Sequence, residues 1–162
     1  MRWFANSLLL LACGGCCTVL RGTHQTMAFD TNPRGTVVEV DGTRYTTPVN
    51  VVLKRTKSYP ITLVKAGYRM IRFDLTPEWD GVSLVGNMIM PGGSLGLVMD
   101  AADGADHNFY ELAEISMVPS TQPSDPPLIL NAFKGHLLTD EQLVVAIRAD
   151  RLDRSQFFRG EP

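Results

Sequence analysis

Apolar and polar residues alternate with a period of two through the first half of the chain. Five short runs between Gln25 and Pro77 follow this pattern: Met27 and Phe29, then 36–40, then Val49, Val51 and Leu53, then Ile61 and Leu63, and finally Ile71, Phe73 and Leu75. Such alternation is typical of antiparallel strands with one buried face and one solvated face. Two small sheets packed face to face, or one sheet covered by later segments, would bury those faces. The pattern therefore predicts a mostly β fold, a small antiparallel β-sandwich.

Turn-forming residues separate the predicted strands. Asn32-Pro33-Arg34-Gly35 has the composition of a type I turn, with proline at its second position and glycine at its fourth. Asp41-Gly42 predicts a tight two-residue hairpin, because glycine tolerates the positive φ that such a loop needs. Pro48 interrupts the ladder since proline has no N–H to donate. Gly67-Tyr68 predicts a later turn.

The turn residues also carry a family resemblance. In chain order they are Pro33 and Gly35, Asp41 and Gly42, Pro48, and Gly67 and Tyr68. Over residues 25 to 76 this order resembles that of the PEGA domain, named for a Pro-Glu-Gly-Ala turn, with Arg34 in place of the acid and Thr36 in place of the alanine. The resemblance implies a small extracytoplasmic β-sandwich that serves as a surface or binding module. It brings no catalytic residue with it.

The amino-terminal residues have the pattern of an export signal. Arg2 precedes the apolar run 8–12, and small residues and cysteines follow at 13–17. A cysteine at the exit is typical of bacterial lipoproteins, in which the signal is cut before a cysteine that receives lipid. The alternatives are a mis-assigned start codon or a plain membrane anchor. A spanning helix needs about 20 apolar residues, and this run ends sooner.

Two cysteines compete for the lipid. A cut before Cys13 leaves the better apolar-to-small pattern upstream, whereas a cut before Cys16 leaves a poorer apolar anchor. Residues 16–25, however, resemble the mature start of small PEGA lipoproteins, with Cys16 as the lipid carrier. This register favours Cys16 and predicts a signal peptide at 1–15.

A glycine-rich apolar segment follows the predicted strands. No residue between Asp80 and Asp100 is charged, and Pro91-Gly92-Gly93 interrupts the run in its middle. Three interpretations remain: a hairpin or a pair of short helices folded over the β-domain, a contact with a partner or a second copy, or insertion of residues 82–99 into the bilayer. A similar stretch, here 81–105, recurs in the small PEGA lipoproteins.

The residues after this segment suggest further elements. Asp100, Asp103 and Asp106-His107 lack the spacing of a calcium loop, so we interpret them as a solvated acidic turn. Residues 110–118 resemble a strand. Its predicted inward side chains are Tyr110, Leu112 and Ile115.

A proline-rich linker at 119–127 and a helix at about 140–157 complete the chain. Thr139 and Gln142 form a predicted capping box, and Leu143 and Ile147 share one helical face. The helix either docks on the β-domain or binds a partner. The predicted organisation is thus a signal at 1–15, a β-domain at 16–118 with its core at 25–77, the linker, and a carboxy-terminal segment at 128–162.

Composition narrows the function. The net charge of −2 gives no basic surface for nucleic acid, and all three cysteines lie at 13–17, which leaves the mature domain without a disulfide. No catalytic, metal-binding or cofactor motif occurs. We therefore expect a non-enzymatic envelope lipoprotein without cofactor that faces the periplasm or exterior. If the host has two membranes, we expect it in the outer membrane, because Cys17 and not aspartate follows Cys16. Its expected partners are the membrane through its lipid, an envelope protein or polysaccharide, or a second copy. The alternative is a membrane-active or oligomer-forming protein that inserts residues 82–99 into the bilayer.

Overall fold

The computed structural model describes residues 22–79, 104, 106–122 and 124–157. The described elements are β1 (His24–Phe29), β2 (Thr31–Asn32), β3 (Val37–Val40), β4 (Thr43–Thr46), β5 (Val49–Lys54), β6 (Tyr59–Val64), β7 (Ile71–Leu75), β8 (Glu78–Trp79), β9 (His107–Asn108), β10 (Ile115–Ser116), β11 (Leu128–Ile129), β12 (Asn131–Phe133), β13 (His136–Leu138) and the helix α1 (Asp140–Phe157). The glycine-rich segment 82–99 lies outside the described residues.

Two sheets form the body of the domain. The larger has five strands in the order β11-β7-β6-β3-β4, and the smaller is the antiparallel pair β1–β5. Within the larger sheet, β3, β4, β6 and β7 pair with one another in antiparallel fashion. The predicted mostly β architecture is confirmed.

The predicted alternation sets the core. Each of β1, β3, β5, β6 and β7 buries every second side chain and exposes or half-exposes the others. The inward residues of both sheets belong to one hydrophobic core, which includes Met27, Phe29, Val38, Val40, Val51, Leu53, Tyr59, Ile61, Leu63, Ile71, Phe73 and Leu75. Burial of these side chains is the main force that holds the two sheets together.

The chain after residue 105 completes this core. Phe109, Ile115 and Met117 are buried in the same hydrophobic cluster. Strand β10 pairs in parallel with β2, and β11 pairs in parallel with β7. The sequence did not suggest these two short parallel pairings, which fasten the downstream chain to the sandwich at two separate places.

The prediction of a single strand over residues 110–118 is wrong in the length of the strand and in which aromatic side chain points into the core. Only Ile115–Ser116 is a strand, and the inward aromatic side chain is Phe109, with 2% exposure, whereas Tyr110 is 45% exposed. The reason is that the Gln25 side chain pairs with the Phe109 backbone, which turns Phe109 into the core. Leu112 packs partly against the core, and Ile115 is buried as expected.

The proline-rich segment makes more contacts than its composition suggests. The Asp125 carboxylate accepts backbone N–H groups of Thr121 at 2.8 Å and Gln122 at 3.1 Å, and these bonds hold the pKa of Asp125 below its usual value. The guanidinium of Arg69 donates to the Pro126 carbonyl at 2.9 Å. The Asp125 bonds lie within the segment, and the Arg69 bond ties the segment to the turn between β6 and β7.

The helix begins at the predicted capping box. The Thr139 N–H donates to Gln142 Oε1 at 3.0 Å, and the Gln142 N–H donates to Thr139 Oγ1 at 3.5 Å. Asp150 then accepts a bond from the Lys134 ammonium and pairs with Arg154 at 3.3 Å. The lysine bond is the main reason that the pKa of Asp150 lies below its usual value. The helix contacts β12 and β13, so it docks on the rest of the fold.

Candidate binding cleft and the motif residues

A cleft separates the sheet from the carboxy-terminal helix. Its volume is about 500 Å³, and it opens between the outward face of β6–β7 and the residues of β11, β12 and α1. The sheet contributes Thr62, Arg72 and Asp74, whose side chains point outward because their strand neighbours are buried. Leu143 and Ile147 of the helix line the opposite wall.

The cleft combines apolar walls with a few polar groups. Thr62 and Arg72 lie directly opposite each other in the β6–β7 register, and Asp74 follows Arg72 on the same face. Asn131 also lines the cleft and is oriented by donating to the Asp140 carboxylate at 2.8 Å. Its volume lies within the range of about 300–1,000 Å³ that is usual for small-molecule sites. One arginine and one aspartate balance in charge, which favours an uncharged ligand over a strongly ionic one.

Arg72 and Asp74 are the charged side chains among the lining residues. Among the described residues, the cleft is lined by no histidine, cysteine, serine, lysine or glutamate.

Three threonines beside the predicted turn at residues 32–35 form a structural cluster on another part of the domain. Thr31, Thr36 and Thr47 are buried. The Thr31 and Thr47 hydroxyls share a hydrogen bond of 2.6 Å, and the Thr36 hydroxyl donates to the Pro33 carbonyl at 2.9 Å. The Thr36 N–H donates to Thr47 Oγ1 at 3.1 Å. Each buried hydroxyl thus has a partner, which such groups need in the absence of water.

This cluster changes the bonding of the predicted type I turn. The Gly35 N–H donates to the Thr47 carbonyl at 2.9 Å, and the Asn32 carbonyl accepts the Met117 N–H at 2.8 Å. The expected bond from Gly35 to Asn32 is replaced because both groups have partners outside the turn. The peptide bonds that precede Pro33 and Pro48 are both cis. Thr36, at the position of the family's alanine, ties the turn together through its hydroxyl.

The other predicted turns lie where the sequence placed them. Asp41 and Gly42 have φ angles of 50° and 80°, and Val40 pairs with Thr43 across them. The Lys57 ammonium contacts the Asp41 carboxylate, a bond that raises the pKa of Lys57. Gly67 has a φ of 81°, and the neighbouring Tyr68 packs against the core.

The acidic turn differs from the prediction. Asp106 is 1% exposed, and its Oδ1 lies 2.5 Å from His107 Nδ1. The buried Arg55 donates through its guanidinium to the His107 carbonyl at 3.4 Å. The prediction of a solvated turn is wrong at Asp106, because this carboxylate is enclosed and bonded to a histidine. Asp100 and Asp103 lie outside the described residues.

Sequence reasoning missed several residues that hold the fold together. The two bonds between Gln25 and Phe109 join positions far apart in the chain, and Arg55 bonds to the carbonyl of His107, the partner of the buried Asp106. A lone phenylalanine and a lone glutamine gave no signal of this. The cleft was missed too, since its walls come from β6, β7 and the tail helix.

Some predicted features lie outside the described residues, and others are tested over the described residues alone. Cys13 and Cys16 lie outside the described residues. Within the described ranges, no group of three or more histidine, cysteine, aspartate or glutamate side chains could hold a metal ion. Over those same ranges, no helix combines the length and the apolar content that a membrane crossing requires.

Comparison with known families matches residues 25–80 to the PEGA domain. The matched range covers β1 to β8 and contains the buried threonine cluster and most of the core. Residues 25–80 thus form a PEGA domain, which suggests a module of unknown role. No curated protein and no solved structure matches the chain significantly. The matched range ends before Phe109, although that side chain is part of the same core.

Proposed function

We propose that this protein is a lipid-anchored protein of the bacterial cell envelope, whose PEGA domain is a non-catalytic interaction module facing the periplasm or exterior. The observation that supports this most is the order of features along the chain. A short apolar run ends in cysteines at 13–17, and β1 begins at His24, directly ahead of the PEGA match.

The anchor would be Cys16, with Cys13 as the alternative. Acyl chains contribute about 0.8 kcal/mol of membrane affinity per buried methylene, so several chains hold a protein firmly. A linker of the length between Cys16 and His24 spans at most about 28 Å when extended. The module would therefore work close to the bilayer surface.

The cleft beside α1 is the surface that we assign to a partner. It offers a neutral mix of guanidinium, carboxylate, amide and hydroxyl groups over apolar walls. Such a lining suits an uncharged polar chain, which is either a polysaccharide or an extended segment of an envelope protein. Outer-membrane placement is favoured for a host with two membranes, because Cys17 follows Cys16.

Metabolic labelling with a palmitate analogue tests the anchor. The wild-type protein should label and sediment with membranes, and Cys16→Ala should lose both properties while Cys13→Ala keeps them. Mass spectrometry of the mature amino terminus should show a diacylated or triacylated cysteine at residue 16. An unmodified chain that begins at Met1 and stays in the soluble fraction would contradict the proposal.

A second candidate function rests on the uncharged run between Asp80 and Asp100. In this case residues 82–99 insert into the bilayer and contribute to membrane attachment. Deletion of 82–99 should leave membrane attachment unchanged if lipid alone anchors the chain. Release of the deletion variant into the soluble fraction, with labelling at Cys16 retained, would support insertion.

A further inference from the structure

The carboxy-terminal helix has an outward face that is both apolar and basic. Val145 and Leu152 are 66% and 65% exposed, and Val144 is exposed beside them. Arg148 and Arg151 are exposed as well. At 3.6 residues per turn, these five side chains fall within an arc of about 120°.

Charge is segregated around the helix. Asp150 faces the fold, where it bonds to Lys134 and Arg154. Asp153 lies about 140° around the helix from Arg148. Glu141, in the first turn, is the acidic side chain that shares the outward arc. From Val144 to Leu152 the outward face therefore carries two arginines and no carboxylate.

The helix lies at the end of the domain from which the amino terminus leaves. His24 pairs with Lys54 at one end of the β1–β5 sheet, and the short turn after Lys54 leads directly to β6. The same end of β6–β7 contributes Pro60, Asp74 and Thr76 to the cleft against which α1 packs. A lipid at Cys16 would thus hold this end of the domain within about 28 Å of the bilayer.

We propose that the outward face of α1, formed by Val144, Val145, Arg148, Arg151 and Leu152, is a docking surface for an anionic phospholipid membrane. Helices that lie in the membrane interface place apolar side chains among the acyl chains and lysine or arginine side chains at the headgroups. The proposal rests on the proposed lipid anchor for its geometry. The helix contact would orient the domain, while the acyl chains supply most of the affinity.

Vesicle co-sedimentation of the full chain tests this, using the cysteine-free variant Cys13→Ser/Cys16→Ser/Cys17→Ser so that no lipid contributes. The vesicles are phosphatidylcholine alone or an equimolar mixture with phosphatidylglycerol, at low salt. Binding should be stronger on the anionic vesicles. Each arginine near an anionic surface contributes about fivefold, so Arg148→Ser/Arg151→Ser should lower the partition coefficient about 30-fold.

Matched variants separate this face from general charge and hydrophobicity. Arg34→Ser/Arg44→Ser removes the same net charge from exposed positions on the PEGA domain and should have no such effect. Val145→Ser/Leu152→Ser should lower binding about tenfold through lost apolar contact. Unchanged circular dichroism would show that each variant is folded.

Three results would overturn the proposal. The first is equal binding to neutral and anionic vesicles. The second is an equal effect of the two arginine pairs. The third is a dimer in light scattering that becomes a monomer in Val145→Ser/Leu152→Ser, since this would make the face a contact between copies. Failure of palmitate labelling would reject the lipid anchor but not this result, because the vesicle assay uses unlipidated protein.

Discussion

The two hydrogen bonds between Gln25 and Phe109 allow a test of how much the chain after residue 105 stabilises the PEGA domain. The Gln25 amide donates to the Phe109 carbonyl at 2.8 Å and accepts the Phe109 N–H at 2.9 Å, which mimics one step of a β-ladder. Each such bond contributes about 1 kcal/mol net, and loss of a partner adds the cost of the unsatisfied group. Gln25→Ala should therefore lower the free energy of unfolding by about 2–3 kcal/mol.

Gln25→Glu makes the test dependent on pH. A charged carboxylate still accepts the Phe109 N–H but meets the Phe109 carbonyl without a proton to donate. The protonated carboxyl can donate, so folding raises the pKa of this introduced group above its unfolded value of about 4.3. A raised pKa means that stability is fully present below the unfolded pKa and is lost as pH rises through the folded pKa. Gln25→Glu should therefore be close to wild type at about pH 3.5 and clearly weaker near neutral pH.

Urea unfolding of the cysteine-free protein measures both effects. Thr26→Ala is the matched control, since Thr26 is the exposed neighbour of Gln25 and its loss should stay within about 0.5 kcal/mol. A Gln25→Ala variant as stable as Thr26→Ala would refute the reasoning. So would a Gln25→Glu variant whose deficit relative to wild type is the same at both pH values.

Three further predictions concern other regions of the fold. Phe109→Ala should lower the free energy of unfolding by about 3–5 kcal/mol in urea, because it removes a buried aromatic side chain that belongs to the shared core. A loss near zero would show that the core of the PEGA domain is stable without Phe109. Gly104→Ala should be about 2 kcal/mol more destabilising than Gly67→Ala. Both glycines have positive φ. A Cβ at Gly104 would lie 2.5 Å from Thr56 Cγ2, whereas a Cβ at Gly67 would have no atom within 4 Å. An equal loss of unfolding free energy in the two variants would contradict this packing. Asp125→Asn should flatten the fall in melting temperature between about pH 5 and about pH 2, since a lowered pKa gives stability that is lost as pH falls through it; an unchanged acid profile would show that Asp125 contributes nothing.

The sequence was most informative where structure depends on local chemistry. Alternation of apolar residues located the five core strands, since one buried face requires a period of two. The Asp41-Gly42 hairpin and the Thr139–Gln142 capping box also formed as predicted, because each depends on residues within a few positions of each other. The same holds for the start and end of α1.

Contacts between distant segments could not be derived in this way. The buried Asp106 bonds to His107, whose carbonyl accepts a bond from the distant Arg55, and the Phe109 backbone bonds to the distant Gln25. No periodicity links these residues, and each pairing is chosen by the packing of the whole fold. The cleft belongs to the same category, since Arg72 and Ile147 line it from segments far apart in the chain.

The two parallel pairings have a mechanical consequence for a domain that is pulled at its two ends. A pull applied before β2 and after β10 slides these two parallel strands past each other along their length. A pull applied before β7 and after β11 does the same to that second pair. All the hydrogen bonds of each pair then bear the load together and cannot break in succession. A pull between the two ends of the described chain would thus load the pairings of Thr31 with Ile115 and of Ile71 with Leu128 in shear.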